Sequence, residues 1–293
     1  MAERSCPPDP LGASQPFSCS DGHQLAFYEY LPPCLKPPST YIVFLHGIQS
    51  HAGWYSGSCK ELASKGHHVL FLNRRGSGKD TVRRGDIPGW RRLVLDVREF
   101  LLDQQQKHPG GRWFLGGISW GGKVAAAVAA RCPDLIEGLI LLCPGLVPLV
   151  SPPLSKRLAI VFSSLFWPKK QFDIPLADPA LFTNHPLWQD FLRKDEDSLR
   201  TASAWFFVQS VRLDIWFRFI CRGWKVPTLL LLAENDRIVH NKATRARIGD
   251  LALGPTTVME YPNAHHTLEF EGPKVPWVND LDKWLGGLFP LEK

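Results

Sequence analysis

The sequence predicts an α/β fold: a mostly parallel central sheet covered by helices on both faces, with a helical insertion between two of its strands. Three observations carry this. Runs such as "GLILLC" and "TLLLLA" are solidly apolar over strand length, the pattern of strands buried on both faces. Helical patterns alternate with such runs along the chain. The alternation stops between Pro148 and Lys225 and then resumes.

Taken in order, residues 1–22 are rich in Pro and Ser and read as a loose leader. "QLAFYEYL" (24–31), "YIVFLHG" (41–47) and "HHVLFLN" (67–73) have the β-branched and aromatic character of strands, the last ending in the turn "RRGSGKD". "LVLDVREFLLDQQQ" (93–106) spaces its apolar residues as a helix does. "RWFLGG" is the next strand, and "GKVAAAVAARC" a helix of good formers. "IEGLILLCPG" closes the first half. After the insertion come the strand "VPTLLLLAEND", the helix "HNKATRARIGDLA", the strand "TTVMEYP" and the helix "VPWVNDLDKWLGGLF". Residues 23–147 and 226–293 are therefore expected to form the core. Residues 148–225, dense in aromatics, form the inserted unit; a separate C-terminal domain is disfavoured because two more apolar strands follow.

Composition narrows the function classes. Across 293 residues, hydrophobic residues make up 44% and charged ones 21%, enough for a large buried core. The net charge of +6 is scattered in pairs such as Arg83-Arg84 and Lys169-Lys170, a solvated surface and not a nucleic-acid footprint. Seven cysteines occur without CxxC or zinc spacing, which fits free thiols in a reducing compartment. The first residues contain no apolar signal core, and no stretch of about eighteen apolar residues could span a bilayer. A cytoplasmic protein is expected.

The chemistry centres on Gly117-Ile118-Ser119-Trp120-Gly121. The pentapeptide alone is weak evidence, but here an apolar strand leads in and an Ala-rich helix leads out. A serine on such a sharp strand-to-helix turn projects its Oγ above the sheet edge, and flanking glycines relieve the close approach. Serine needs a base oriented by an acid, and for this architecture the chain order is Ser, acid, His. Asp236 follows the strand "TLLLLA"; Glu234 competes, but the spacing in "AENDRIV" favours Asp236. In "NAHHTLEFE" either His265 or His266 is the base, and the small residues before them favour His266. His185 lies in the insertion and reads as a surface or packing residue. The developing oxyanion needs two donors: the backbone N–H of Trp120 and, from the loop "HGIQSHAGW", that of Ile48.

These residues resemble the α/β-hydrolase superfamily, and within it the monoacylglycerol lipase/lysophospholipase-like serine hydrolases. The likeness runs from about Gln24 onward through "FLHGIQSHAGWY", "NRRGSGKD", "GGISWGGKVA", "AENDRIVHNKATR" and "NAHHTLEFE", and includes "LFTNHPLWQDFLRKDEDSLRTASAWFFVQSVRLD" as the family's cap. It implies an α/β-hydrolase fold with a lid, Ser119 as nucleophile, Asp236 as acid, His266 as base, and Ile48 and Trp120 as oxyanion donors. Two departures stand out. Many members have His-Ser-Met-Gly where this chain has Ile118-Ser119-Trp120-Gly121, and Asp-His where it has Asn73-Arg74.

The insertion is the substrate clue. "RLAIVFSSLFW" is almost wholly apolar and flanked by Lys156-Arg157 and Lys169-Lys170. It is either a helix face packed on the core or a lid that lines a lipophilic tunnel and touches membrane surfaces. The expected reaction is hydrolysis of a lipophilic carboxylic ester through an acyl-serine, with no metal or organic cofactor. A proline-iminopeptidase-like peptidase and a non-catalytic ligand-binding protein on the same fold are the competing readings. Oligomeric state is not legible.

Overall fold

The computed structural model describes residues 12–33, 40–80 and 82–288; Cys6 and Cys34 lie outside these. The chain enters the sheet through β1 (Gln15–Ser18) and β2 (Gln24–Tyr30), an antiparallel pair. β1 falls inside the stretch that the sequence marks as a loose leader. It pairs because Phe17 is buried beside Leu25, and its Pro16 is tolerated because β1 is an edge strand.

β3 (Thr40–Leu45) is followed by helix α1 (Ser56–Ser64), β4 (His68–Leu72), α2 (Trp90–Lys107) and β5 (Arg112–Ile118). Then come α3 (Trp120–Arg131), β6 (Gly138–Leu142), β9 (Thr228–Ala233), α7 (Asn241–Leu251), β10 (Thr256–Tyr261) and α8 (Trp277–Leu288), with the insertion between β6 and β9. The sheet order is β1-β2-β4-β3-β5-β6-β9-β10, and the pairs from β4 through β10 are parallel. From β3 the chain steps to β4 on one side and β5 on the other. That reversal opens a crevice at the C-terminal ends of β3 and β5, where open α/β sheets place their ligands.

Adjacent residues of a strand face opposite sides, so the two faces can be traced. Phe71 stacks on Tyr55 ahead of α1, whereas its neighbour Leu72 pairs with Phe27, which meets Phe100 of α2. Helices α1 and α8 pack together on the first face, and α2 and α3 on the second. Ile42, Val43, Leu70, Leu139, Ile140, Leu141 and Leu229 have no exposure, as their unbroken apolar runs require.

Between β6 and β9 lie α4 (Leu154–Phe166), β7 (Gln171–Asp173), α5 (Pro186–Lys194), β8 (Thr201–Ser203) and α6 (Ala204–Phe219). The insertion is helical, as its sequence pattern predicts, but it also carries the antiparallel ribbon β7–β8, in which Ala202 and Ser203 are buried. Helix α4 buries only Ile160 and Ser163. Leu158, Phe162, Leu165, Phe166 and Trp167 are all more than half exposed, so this helix does not spend its apolar surface on the core. Among the described residues no helix is long and apolar enough to cross a membrane.

Candidate active site

Ser119 sits between β5 and α3 with φ 52° and ψ −122°, a left-handed conformation that costs a non-glycine residue about 1–3 kcal/mol. Its surroundings hold it there. Its N–H donates to Leu142 O at 2.9 Å, and its carbonyl accepts from Gly122 N at 2.9 Å and Gly145 N at 2.7 Å. The glycines are steric necessities: a Cβ on Gly117 would lie 2.7 Å from Gly122 Cα, and one on Gly121 would lie 2.4 Å from His46 O. The buried alanines of α3 let the helix close on the sheet in the same way.

With its backbone satisfied, Ser119 presents Oγ to His266 Nε2 at 2.8 Å. His266 Nδ1 meets Asp236 Oδ2 at 2.7 Å, so Nδ1–H donates to the carboxylate and Nε2 is left to accept from the serine. The other oxygen, Asp236 Oδ1, accepts from Ile238 N and Val239 N, both at 2.8 Å. The Asp236 side chain has no exposure and that of His266 only 3%, which shields the chain of bonds from water. Phe182, from the insertion, meets the His266 ring edge-on at 6.2 Å. Glu234 instead accepts from Asn263 N, and His265 pairs with Glu271 at 3.0 Å. His185 sits half-buried at the start of α5 and is not a member of this chain of bonds.

Ile48 follows β3 on a loop pressed against Ser119: a Cβ on Gly47 would lie 3.2 Å from Ser119 Cβ. Trp120 is the first residue of α3, where a backbone N–H has no acceptor in its own helix. Both N–H groups therefore come from segments that border Ser119. The Trp120 side chain points elsewhere. Its Nε1–H donates to Ser210 Oγ of α6 at 2.9 Å, and its ring packs on Phe206 at 5.0 Å. Three residues along α3, Lys123 meets Asp214 at 2.6 Å, one helical turn beyond Ser210.

Two further groups brace the site and were not read from the sequence. The Arg74 guanidinium lies 5.3 Å over the Trp120 ring and 5.2 Å over Phe206, and Nη2 donates to the Ile48 carbonyl. Burial, reinforced by the Arg84 charge, draws its pKa down to about 9. The Arg74 N–H also donates to His46 Nε2, which fixes the His46 tautomer with Nδ1–H on Gly47 O at 2.8 Å. Burial, then the Arg74 charge, holds that imidazole well below its usual pKa. The substitution of Asn73-Arg74 for Asp-His was the visible signal. The second group is Asp195 after α5, which accepts from Trp54 Nε1 at 2.7 Å, Ser198 Oγ at 2.6 Å and His51 Nε2 at 3.1 Å. Burial opposes its charge, but the bonds from His51, Ser198 and Trp54 hold the carboxyl below the usual range. Leu199 N adds a bond to Gln49 O at 2.9 Å, so this part of the insertion is fastened to the loop carrying Ile48. The described cysteines, Cys19, Cys59, Cys132, Cys143 and Cys221, are free thiols.

Comparison with known proteins gives the fold and the family. The mouse monoglyceride lipase is 24% identical over 277 residues, covering 91% of this chain and 88% of the relative. The human monoglyceride lipase is 25% identical over 260 residues, covering 87% and 84%. The crystal structure of the Paleococcus ferrophilus monoacylglycerol lipase superposes with a TM-score of 0.76 at 22% identity, covering 90% of this chain and 98% of that one. At that identity the superposition speaks for the fold, which is that of the α/β-hydrolases. The family described as Serine aminopeptidase, S33, matches residues 36–273, from the start of the parallel sheet to the segment that carries His266, and the chain belongs to that family.

Proposed function

We propose that this protein is a serine hydrolase of carboxylic esters with a lipophilic acyl chain, of the monoacylglycerol lipase type. The observation that carries the reading is the bond sequence Ser119 Oγ, His266 Nε2, His266 Nδ1, Asp236 Oδ2, with separations of 2.8 and 2.7 Å. In the proposed reaction Ser119 Oγ attacks the ester carbonyl carbon while His266 Nε2 takes its proton. Asp236 holds the ring in the required tautomer and stabilises the imidazolium. The Ile48 and Trp120 N–H groups receive the oxyanion, and Arg74 steadies that pocket through the Ile48 carbonyl and the Trp120 ring. Collapse expels the alcohol, protonated by His266, and leaves an acyl-Ser119 ester. Water deprotonated by His266 then attacks the acyl carbon; the bond to Ser119 Oγ breaks, His266 returns the proton to Oγ, and the acid leaves.

Two features support the substrate class. The relatives aligned over most of their length bear the name monoglyceride lipase. The insertion, taken here as a cap over residues 148–225, brings aromatic side chains such as Phe182 and Phe206 to the site. Its helix α4 turns Phe162, Phe166 and Trp167 outward as a cluster with ring centroids 4.8–6.1 Å apart. With Lys156, Arg157, Lys169 and Lys170 beside it, we propose that this face rests on a lipid surface from which substrate enters.

The test is a hydrolysis profile over monoacylglycerols, lysophospholipids, p-nitrophenyl esters of graded chain length and aminoacyl arylamides. The reading predicts highest kcat/KM for medium and long acyl esters. Turnover confined to acetyl and butyryl esters would remove the lipid assignment, and preference for the arylamides would make the protein an aminopeptidase.

A further inference from the structure

We infer that Glu29, His68 and His108 form a binding site for a divalent transition metal of the zinc class, at the end of the sheet opposite Ser119. Glu29 lies on β2, His68 is the first residue of β4, and His108 caps the C-terminus of α2. Tyr41 stands beside both His68 and Trp113, at the strand ends where β4 and β5 begin. Ser119 follows the other end of β5, about 20 Å away at some 3.3 Å per residue. The site is therefore independent of the proposed ester chemistry.

The donor set is one carboxylate and two imidazoles, whose metal-binding atoms all lie within 4.8 Å of one another. Two histidines and a carboxylate are a recurrent three-ligand zinc set that leaves one position open. Ring placement gives a sharper criterion. Two imidazoles on one tetrahedral ion, with Zn–N near 2.05 Å, have centroids about 5 Å apart. The His68 and His108 centroids are 5.0 Å apart with their planes at 72°.

The surroundings hold the donors in place. The Tyr41 ring contacts His68 at 5.0 Å and His108 at 5.1 Å, and is itself stacked on Trp113 at 4.5 Å. Glu29 Oε1 accepts a hydrogen bond from His68 Nε2 at 2.7 Å, whose proton the ion would displace as the two atoms part to about 3.3 Å. Gln15 Nε2 donates to Glu29 Oε2 at 2.6 Å, the outer support a ligating carboxylate usually has. An ion pair would need Glu29 and His68 only. His108 brings a third donor, whose ring stands against those of Tyr41 and His68. Glu29 and His108 are partly exposed, so the ion and a fourth, water ligand could reach them from solvent.

The test is calorimetric titration of the chelator-stripped full chain with Zn2+, and of a parallel sample with Co2+ followed by visible absorption. One ion per chain is expected, with tetrahedral cobalt bands. His108→Ala and Glu29→Gln should weaken Zn2+ binding by about 100-fold or more, and Gln15→Leu by about tenfold. Ester hydrolysis by His108→Ala should match wild type, and its melting curve without metal checks the fold. Affinity unchanged by His108→Ala would overturn the assignment. So would a thiolate-to-cobalt band in the near ultraviolet, which would put the ion on a cysteine, either Cys143 beside Asp236 and His266 or Cys19 beside Asp21 and Asp96.

Discussion

The Trp120 indole donates to Ser210 Oγ across 2.9 Å, so the residue directly after Ser119 is tied to helix α6 of the insertion. Its backbone N–H and its side chain therefore have separable duties. Trp120→Phe keeps the N–H and removes the bond to Ser210. We expect kcat on p-nitrophenyl acetate to fall less than the roughly 100-fold that loss of an oxyanion donor brings. Stability should fall by about 1 kcal/mol, the usual worth of such a bond, and Ser210→Ala should do the same. Urea unfolding and steady-state kinetics of the two variants measure both.

Arg74 touches both residues assigned to the oxyanion pocket. Arg74→Met removes the bond to the Ile48 carbonyl and the charge over Trp120. The expected result is a fall in kcat of about tenfold, or roughly 1.4 kcal/mol, with KM changed much less. Arg74→Lys should not restore the rate, because an ammonium cannot both stack on two rings and keep a planar fork of donors. Full activity in Arg74→Met would remove Arg74 from the account.

Asp195 fastens the insertion to the Ile48 loop and carries a depressed native pKa. A depressed carboxyl stabilises the fold fully above its unfolded pKa of about 3.9 and loses that contribution as pH falls through the native value. Asp195→Asn should cost about 1–3 kcal/mol at pH 7, since buried donors lose a charged acceptor. Below about pH 4 the gap to wild type should narrow. Chemical denaturation at a series of pH values reads this directly; a gap constant with pH would contradict it.

Much of this arrangement is legible in the sequence because it is local. The glycines around Ser119, the strand before it and the alanines after it announce the turn. Asp236 and His266 each follow an apolar strand, so their order and spacing could be read, and the structure joins them to Ser119. Helix α1 is hard to read because it is short and its buried face mixes Ser56 and Ser58 with Cys59, Leu62 and Ala63. Ser58 is satisfied by Glu269, from a segment 211 residues later, which no local pattern could reveal. Strand β1 hid behind Pro16 and its polar neighbours, with only Phe17 to mark its buried side. Arg74, Asp195 and the Trp120 indole gain their meaning from contacts across the fold, to α6 and to the loop after β3.

The proposed reaction requires Ser119 to carry the acyl group. The most direct measurement is mass spectrometry of the protein after reaction with a fluorophosphonate, paired with hydrolysis of a medium-chain p-nitrophenyl ester by Ser119→Ala. One adduct per chain is expected, on the peptide bearing Ser119, with a fall in kcat on the order of 10⁴-fold or more in the variant. An adduct on another residue, or ester hydrolysis retained by Ser119→Ala, would contradict it.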